Sequence, residues 1–135
     1  MIAVEQELTP GDPTSVGLGR TVVDRTLRAQ PLGDRVCPDE VLDDAVLAAS
    51  ELITNAVAAA QQRIRLLVDI ATDRARISVY DDGPGEPTPV PPSPDRANGR
   101  GLTIVQMLAA RWGVESDPPG KWVWADFPLE EMSVA

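Results

Sequence analysis

The spacing of apolar residues changes near residue 60 of this 135-residue chain. From Leu42 to Ala60 they recur every three or four residues, which is the period of one face of an α-helix. From Ile64 to Ile70 they alternate, as in a strand with one buried face. Helices and strands of this kind bury their apolar faces against each other. The change of period therefore predicts helices packed on one side of a sheet.

Two helices and an edge strand are predicted in the first half of the chain. The long helix begins at Pro38-Asp39-Glu40, because proline is tolerated in a first turn and carboxylates favour the positive end of the helix dipole. An earlier helix begins at Asp12-Pro13 and stops at Gln30, before a proline. The weak alternation of residues 1–8 predicts an edge strand.

The second half predicts a hairpin, a third helix and a final strand. Residues 71–74 connect two strands, and on the second of them Asp81 has the parity of the core-facing residues. An apolar helix is expected over residues 102–111, ended by Gly113, and a last strand over residues 121–127. The predicted fold class is α+β: a two-layer α/β sandwich with helices on one face of a mostly antiparallel sheet.

Composition excludes several classes of function. Cys37 is the only cysteine and there is no histidine, so a disulfide framework and a zinc or haem site are excluded. The missing histidine also removes the usual general base of serine and cysteine hydrolases. The net charge of −9 disfavours direct nucleic-acid binding and favours a protein partner or a metal-bound nucleotide.

Length and hydropathy predict one domain over residues 1–135. No segment has the pattern of a signal peptide or a membrane span. We therefore expect a cytoplasmic protein without membrane contact.

Three short motifs carry groups that suit a nucleotide. Glu51 and Asn55 lie one helical turn apart, so a carboxylate and an amide face the same spot, where they suit a magnesium ion and a water molecule. Asp81-Asp82-Gly83-Pro84-Gly85 places an acid next to a tight turn after a strand. Gly99-Arg100-Gly101-Leu102 offers backbone N–H groups at a helix N-terminus, where phosphates bind.

Each motif alone has an ordinary structural explanation. A single helix glutamate is usually solvated, and Asp-Gly-Pro-Gly is a frequent turn. Asn55 argues against such an explanation, because asparagine is unfavourable inside a helix. Other nucleotide motifs fail: Gly120-Lys121 lacks the remaining residues of a P-loop, and Gly17-Leu18-Gly19 lacks the third glycine of a dinucleotide fingerprint. The order of the three motifs along the chain favours a nucleotide site.

A proline-rich stretch separates the second motif from the third. Six prolines between residues 84 and 94 exclude regular structure. Residues 86–98 are therefore predicted to form an irregular flap that becomes ordered over a bound nucleotide.

The three motifs resemble those of the GHKL-type ATPases, the superfamily of gyrase, heat-shock chaperones and histidine kinases. The segment from Glu51 to Ala56 is similar to the N box, Asp81-x-Gly83-x-Gly85 to the G1 box, and Gly99-x-Gly101-Leu102 to the G2 box. Within the superfamily the chain looks most like the small anti-sigma factor serine/threonine kinases of actinobacteria. The resemblance extends over nearly the whole chain and implies a Bergerat-type fold that binds ATP and Mg²⁺ under the flap.

The resemblance also implies roles for individual residues. Glu51 would be the general base that activates a protein serine hydroxyl, and Asn55 would bind Mg²⁺. Asp81 would accept a hydrogen bond from the adenine amino group. The remaining nucleotide-binding residues would be Gly83, Gly85, Gly99, Arg100, Gly101 and Leu102. The chain departs from the family at Lys121, where the resemblance leads us to expect threonine, and at Ala58-Ala59, where relatives carry a basic residue and histidine.

Two functions remain open at this stage. The first is a kinase that binds a sigma factor and phosphorylates an anti-anti-sigma partner of the STAS type, with homodimerisation left undecided. The second is a non-catalytic regulatory module on the same fold, with weak ATP use or none. A histidine kinase proper is disfavoured, because the chain contains no histidine to accept phosphate.

Overall fold

A computed structural model describes residues 2–29, 31–84 and 100–132 of the chain. These residues form three helices and seven strands, and two of the strands are only two residues long. In chain order the elements are β1 (Ile2–Leu8), α1 (Thr14–Arg28), β2 (Arg35–Val36), α2 (Asp39–Ala59), β3 (Ile64–Ala71), β4 (Arg74–Asp81), α3 (Arg100–Leu108), β5 (Arg111–Asp117), β6 (Gly120–Pro128) and β7 (Glu130–Glu131).

Five strands form one antiparallel sheet in the order β1-β3-β4-β6-β5. Helix α2 packs against α1, α3 and the central strands β4 and β6. The predicted α+β sandwich is confirmed, and β1 is an edge strand as expected. The short strands β2 and β7 pair with each other in a second, two-stranded sheet that the sequence analysis does not predict.

The core lies between the helices and one face of the sheet. The alternating residues of β3 from Ile64 to Ile70 are buried, as are Ile77 and Val79 on β4. Helix α2 contributes one continuous apolar face, made of Leu42, Ala45, Ala48, Ala49, Leu52, Ile53 and Ala56. The two periodicities in the sequence therefore meet in one core, as predicted.

The two long helices begin close to their predicted starts. Helix α2 starts at Asp39, directly after Pro38. Helix α1 starts at Thr14, where Oδ1 of Asp12 accepts hydrogen bonds from the backbone N–H and the hydroxyl of Thr14 at 2.9 and 2.7 Å. It ends at Arg28, before the predicted end at residue 30. No helix in the described part of the chain is long and apolar enough to cross a bilayer.

The prediction of a helix over residues 102–111 was wrong at its C-terminal end. Helix α3 ends at Leu108, and residues Arg111–Asp117 form the edge strand β5. Gly113 does not end a helix; it faces the Trp124 indole on β6, and a Cβ at Gly113 would lie 2.6 Å from that ring. The pairing of β5 with β6 decides the structure of this segment, since β5 itself is mostly exposed and shows little alternation.

Charged pairs cross from the edge strand β1 to the start of β3. Glu5 pairs with Arg65, and Glu7 pairs with Arg63 at 3.0 Å. All four side chains are at least partly exposed, so each pair adds little to stability. These pairs line the β1 edge of the sheet with charged side chains.

Two glycines of α1 have opposite surroundings. A Cβ at Gly19 would overlap Cδ1 of Ile53, a fully buried residue of α2. Gly17, half a turn earlier, is exposed, and a Cβ there would meet no atom within 4 Å. Gly19 therefore permits the close approach of α1 to α2. Gly17 takes no part in that contact.

The two glycines provide a matched test of this helix contact. Gly19→Ala is expected to lower the free energy of unfolding by about 1–3 kcal/mol, because the new methyl group must displace Cδ1 of the fully buried Ile53. Gly17→Ala is expected to raise it by about 0.5–1 kcal/mol, because alanine favours the helix. Urea unfolding of the two variants checks both values. A change of the same sign in both variants would contradict the proposed contact.

Candidate functional site

Helix α2 presents Glu51 and Asn55 at the edge of its buried face. Both side chains are half-buried and lie beside the buried residues Leu52 and Ala56. Within the described residues, neither side chain has a hydrogen bond or ion pair to another group. The two residues lie one turn apart on the helix, as predicted. The carboxylate of Glu51 and the amide of Asn55 are therefore both available to a ligand on this side of α2.

Asp81 ends β4 and is buried, with 6% of its surface exposed. It pairs in register with Ile64 on β3 and with Lys121 on β6. Its Oδ1 atom accepts a hydrogen bond from the backbone N–H of Gly83 at 2.9 Å. The parity argument therefore placed Asp81 correctly among the core-facing residues of β4.

Lys121 forms an ion pair with Asp81 that the sequence analysis does not predict. Its Nζ atom lies 2.8 Å from Oδ1 of Asp81 and donates a second hydrogen bond to the carbonyl of Gly83 at 3.2 Å. The two side chains are 11% and 8% exposed. The register of β4 and β6 places these two residues directly opposite each other, and no local pattern in the sequence indicates that register.

Gly83 lets the turn after β4 contact the end of α2. A Cβ at Gly83 would overlap the carbonyl of Ala59, which is the last residue of α2. Gly120 at the start of β6 permits a second close contact, because a Cβ there would overlap the backbone carbonyl of Asp81. These two glycines bring α2, β4 and β6 together around the Asp81 carboxylate.

Asp82 fastens the turn between α2 and β3 to the end of β4. Its carboxylate accepts hydrogen bonds from the backbone N–H groups of Gln61, Gln62 and Arg63 at 2.9–3.2 Å. The bond from Gln62 is the main cause that holds the pKa of Asp82 below its ordinary value of 3.8. Among the described residues, the two neighbouring acids therefore differ in their partners: Asp81 pairs with a lysine and one backbone N–H, whereas Asp82 accepts only from backbone N–H groups.

The third motif is described only in part. Helix α3 begins at Arg100, and Leu102 is buried in the core. The described residues do not include Gly85, Gly99 or the predicted flap over residues 86–98. The side chain of Arg100 is also outside them. In the part that is described, no cluster of three or more acidic, histidine or cysteine side chains could hold a metal ion.

Residues 10–127 match the family model of the histidine kinase-like ATPase domain. The chain belongs to this family. Membership implies that the domain binds a nucleotide. The matched range includes Glu51, Asn55 and Asp81, so it contains the helix and the strand end described above.

The solved structures that share the fold include the following two. The chain superposes on the RsbU and RsbW domains of Rv1364c from Mycobacterium tuberculosis with a TM-score of 0.71 and 17% identity, over 98% of this chain and 34% of that chain. It thus spans about a third of that relative's length. The histidine kinase domain of the Erythrobacter litoralis EL346 blue-light activated histidine kinase gives a TM-score of 0.50 at 21% identity, over 92% of this chain and 67% of that chain. No curated protein sequence matches the chain.

The hydrogen bonds of Asp82 predict a pH dependence of stability. Because the pKa of Asp82 is lower in the folded chain than in the unfolded chain, its charge contributes stability at neutral pH and loses that contribution as the pH falls below about 4. Asp82→Asn is expected to unfold at a lower temperature than wild type at pH 7, with the difference shrinking in acid. Thermal unfolding from pH 7 to pH 3 measures this effect.

The matched control is Asp43→Asn, which removes an exposed carboxylate from α2. It is expected to leave the pH profile close to that of wild type. A constant difference between Asp82→Asn and wild type at all pH values would contradict the charge-based explanation.

Proposed function

We propose that this chain is an ATP- and Mg²⁺-dependent protein serine/threonine kinase of the anti-sigma factor type, built as one domain over residues 1–135. The observation that carries the proposal is the buried Asp81 carboxylate, which Gly83 holds beside the end of the helix that bears Glu51 and Asn55. Lys121 and the N–H of Gly83 compensate the buried charge through Oδ1, and the carboxylate keeps further acceptor sites for a ligand.

Asp81 is proposed to recognise the adenine base. A base with an exocyclic amino group can donate to the carboxylate, and the backbone at Gly83 leaves no side chain in its way. A charge-assisted hydrogen bond of this kind is stronger than a neutral one. Gly85, Gly99, Arg100, Gly101 and Leu102 are proposed to complete the nucleotide site.

Glu51 is proposed as the catalytic base. Its carboxylate can accept the proton of a serine or threonine hydroxyl as that oxygen attacks the γ-phosphate, a role for which this chain has no histidine. The half-buried position of Glu51 at the edge of the core allows a protein substrate to reach it.

Asn55 is proposed to contribute the protein ligand to Mg²⁺. Its amide oxygen suits a hard cation, and Mg²⁺ commonly uses one or two protein ligands together with phosphate oxygens and water. When bound, the ion neutralises charge on the phosphates. Asn55 is half-buried on α2, so its amide is accessible to such an ion.

The proposed partners are a sigma factor and an anti-anti-sigma protein of the STAS type. The likeness to a chain that contains an RsbW domain supports this choice. The net charge of −9 also favours a protein partner over nucleic acid. Binding in the cytoplasm, where sigma factors act, follows from the same proposal.

One observation favours a second candidate, a regulatory binding module with little ATP turnover. The ion pair from Lys121 already engages the carboxylate that the base would use. In that case the domain would bind its protein partner without transferring phosphate.

Nucleotide binding is the first test. Asp81→Asn is expected to weaken Mg·ATP binding by about 1–3 kcal/mol, because the amino group of the base loses a charged acceptor. Isothermal titration measures the change, with thermal unfolding as a check that the variant is folded. Asp43→Asn on the exposed side of α2 is the control with unchanged affinity. Wild-type protein that fails to bind Mg·ATP at millimolar concentration would refute the proposal.

Phosphoryl transfer is the second test, and it separates the two candidates. Glu51→Ala is expected to abolish transfer of ³²P from [γ-³²P]ATP to a STAS-domain protein and to leave ATP binding largely intact, because the base acts in the transition state. Asn55→Ala is expected to reduce both. Asp43→Ala provides the control on the same helix. Equal transfer by wild type and Glu51→Ala would remove Glu51 from the mechanism, and ATP binding by wild type without transfer would favour the regulatory module.

A further inference from the structure

Lys121 is the only lysine in the chain, among eleven arginines. All cations at the other basic positions are guanidinium groups, which are planar and larger. The one lysine ammonium lies at the start of β6, nearly buried, against Asp81. An ammonium is a compact cation with three N–H donors, and a guanidinium would need more space.

The hydrogen bonds of Lys121 leave part of its capacity unused. Within the described residues, Nζ donates to Oδ1 of Asp81 and to the carbonyl of Gly83. The third N–H has no acceptor there. The Asp81 carboxylate offers about four lone-pair sites, and the described contacts to the N–H of Gly83 and to Lys121 both use Oδ1.

Nζ of Lys121 and Oδ1 of Asp81 lie 2.8 Å apart and are bonded to each other, so the unused acceptor sites of the carboxylate and the unused N–H of the ammonium belong to adjacent groups. The Watson–Crick edge of adenine has the complementary order, with the 6-amino donor next to the ring acceptor N1. A carboxylate alone could pair only with the amino group. A carboxylate and an ammonium together can pair with both atoms.

We propose that Lys121 is a base-recognition residue: it donates its third N–H to N1 of adenine while Asp81 accepts from the 6-amino group. This inference rests on the nucleotide-binding part of the proposed function. In this arrangement Lys121 keeps its bonds to Asp81 and to the Gly83 carbonyl, so the base joins the ion pair and the pair stays intact. Lysine in place of the threonine expected from the family resemblance then adds a charged donor to the recognition of the base.

Wild-type protein gives the first test, since it requires no substitution. Isothermal titration with three Mg²⁺-bound nucleotides compares ATP, 1-deaza-ATP, which has C–H in place of N1, and 7-deaza-ATP, which keeps the whole Watson–Crick edge. The affinity for 1-deaza-ATP is expected to be at least about tenfold lower than that for ATP, the loss expected for a hydrogen bond to a charged group. The affinity for 7-deaza-ATP is expected to match that of ATP.

The second test uses Lys121→Met, which keeps the length of the side chain without its charge. ATP binding is expected to fall about tenfold, and the difference between ATP and 1-deaza-ATP is expected to disappear. Circular dichroism and thermal unfolding establish that the variant is folded; if it is not, the wild-type series decides alone. In addition, protein labelled with ¹⁵N-lysine has one lysine side-chain signal, which is expected to shift with ATP and much less with 1-deaza-ATP.

The outcomes separate this inference from the proposed function. Equal binding of ATP and 1-deaza-ATP by wild type, or equal losses with both deaza analogues, would overturn the role of Lys121 and leave nucleotide binding in place. Tighter binding of ATP to Lys121→Met would also overturn it, because Lys121 would then compete with the base. Absence of binding of any nucleotide to wild type would overturn both.

Discussion

The end of β4 fixes the position of helix α2 and of the turn that joins α2 to β3 at the candidate site. Asp82 binds three successive backbone N–H groups in the turn that joins α2 to β3. The three residues are exposed, so these bonds replace bonds to water and fix the path of the turn. The contact of Gly83 with the Ala59 carbonyl adds a second connection at the same place. The helix with Glu51 and Asn55 is thereby fixed relative to the strand with Asp81.

The Asp81–Lys121 pair has a different physical character from the other ion pairs of the sheet. The pairs between β1 and the start of β3 are exposed and lose little water when they form. Asp81 and Lys121 are almost completely removed from water, so each depends on the other for charge compensation. Two glycines and a tight turn are required to build this enclosure. A buried pair of this kind adds positional definition more than stability, and positional definition is what ligand recognition needs.

The sequence predicted the parts of the fold that depend on local pattern. The long apolar face of α2 and the alternation of β3 and β4 follow directly from residue spacing, and the parity of Asp81 follows from the same alternation. The edge strand β5 could not be predicted this way, because its side chains are exposed and its structure comes from pairing with β6. Strands β2 and β7 are two residues each and have no periodicity to detect. The ion pair at Lys121 required the register of two strands that are 40 residues apart in the chain. The spacing of Glu51 and Asn55 was visible in the sequence; their roles remain predictions.

The charged pairs on β1 have a consequence for how copies of this chain meet. An open sheet has two edges, and the free N–H and C=O groups of an edge strand can pair with the edge of another molecule. Glu5 and Glu7 line one edge here, and β5 carries Glu115 and Asp117 on the other, in a chain whose isoelectric point is about 4.3. Arg63 and Arg65 compensate the carboxylates of β1, so the repulsion between two copies at neutral pH comes from the net charge of −9, and it disfavours strand-to-strand association. Near the isoelectric point that repulsion is lost, so mild acid is where colloidal stability is weakest.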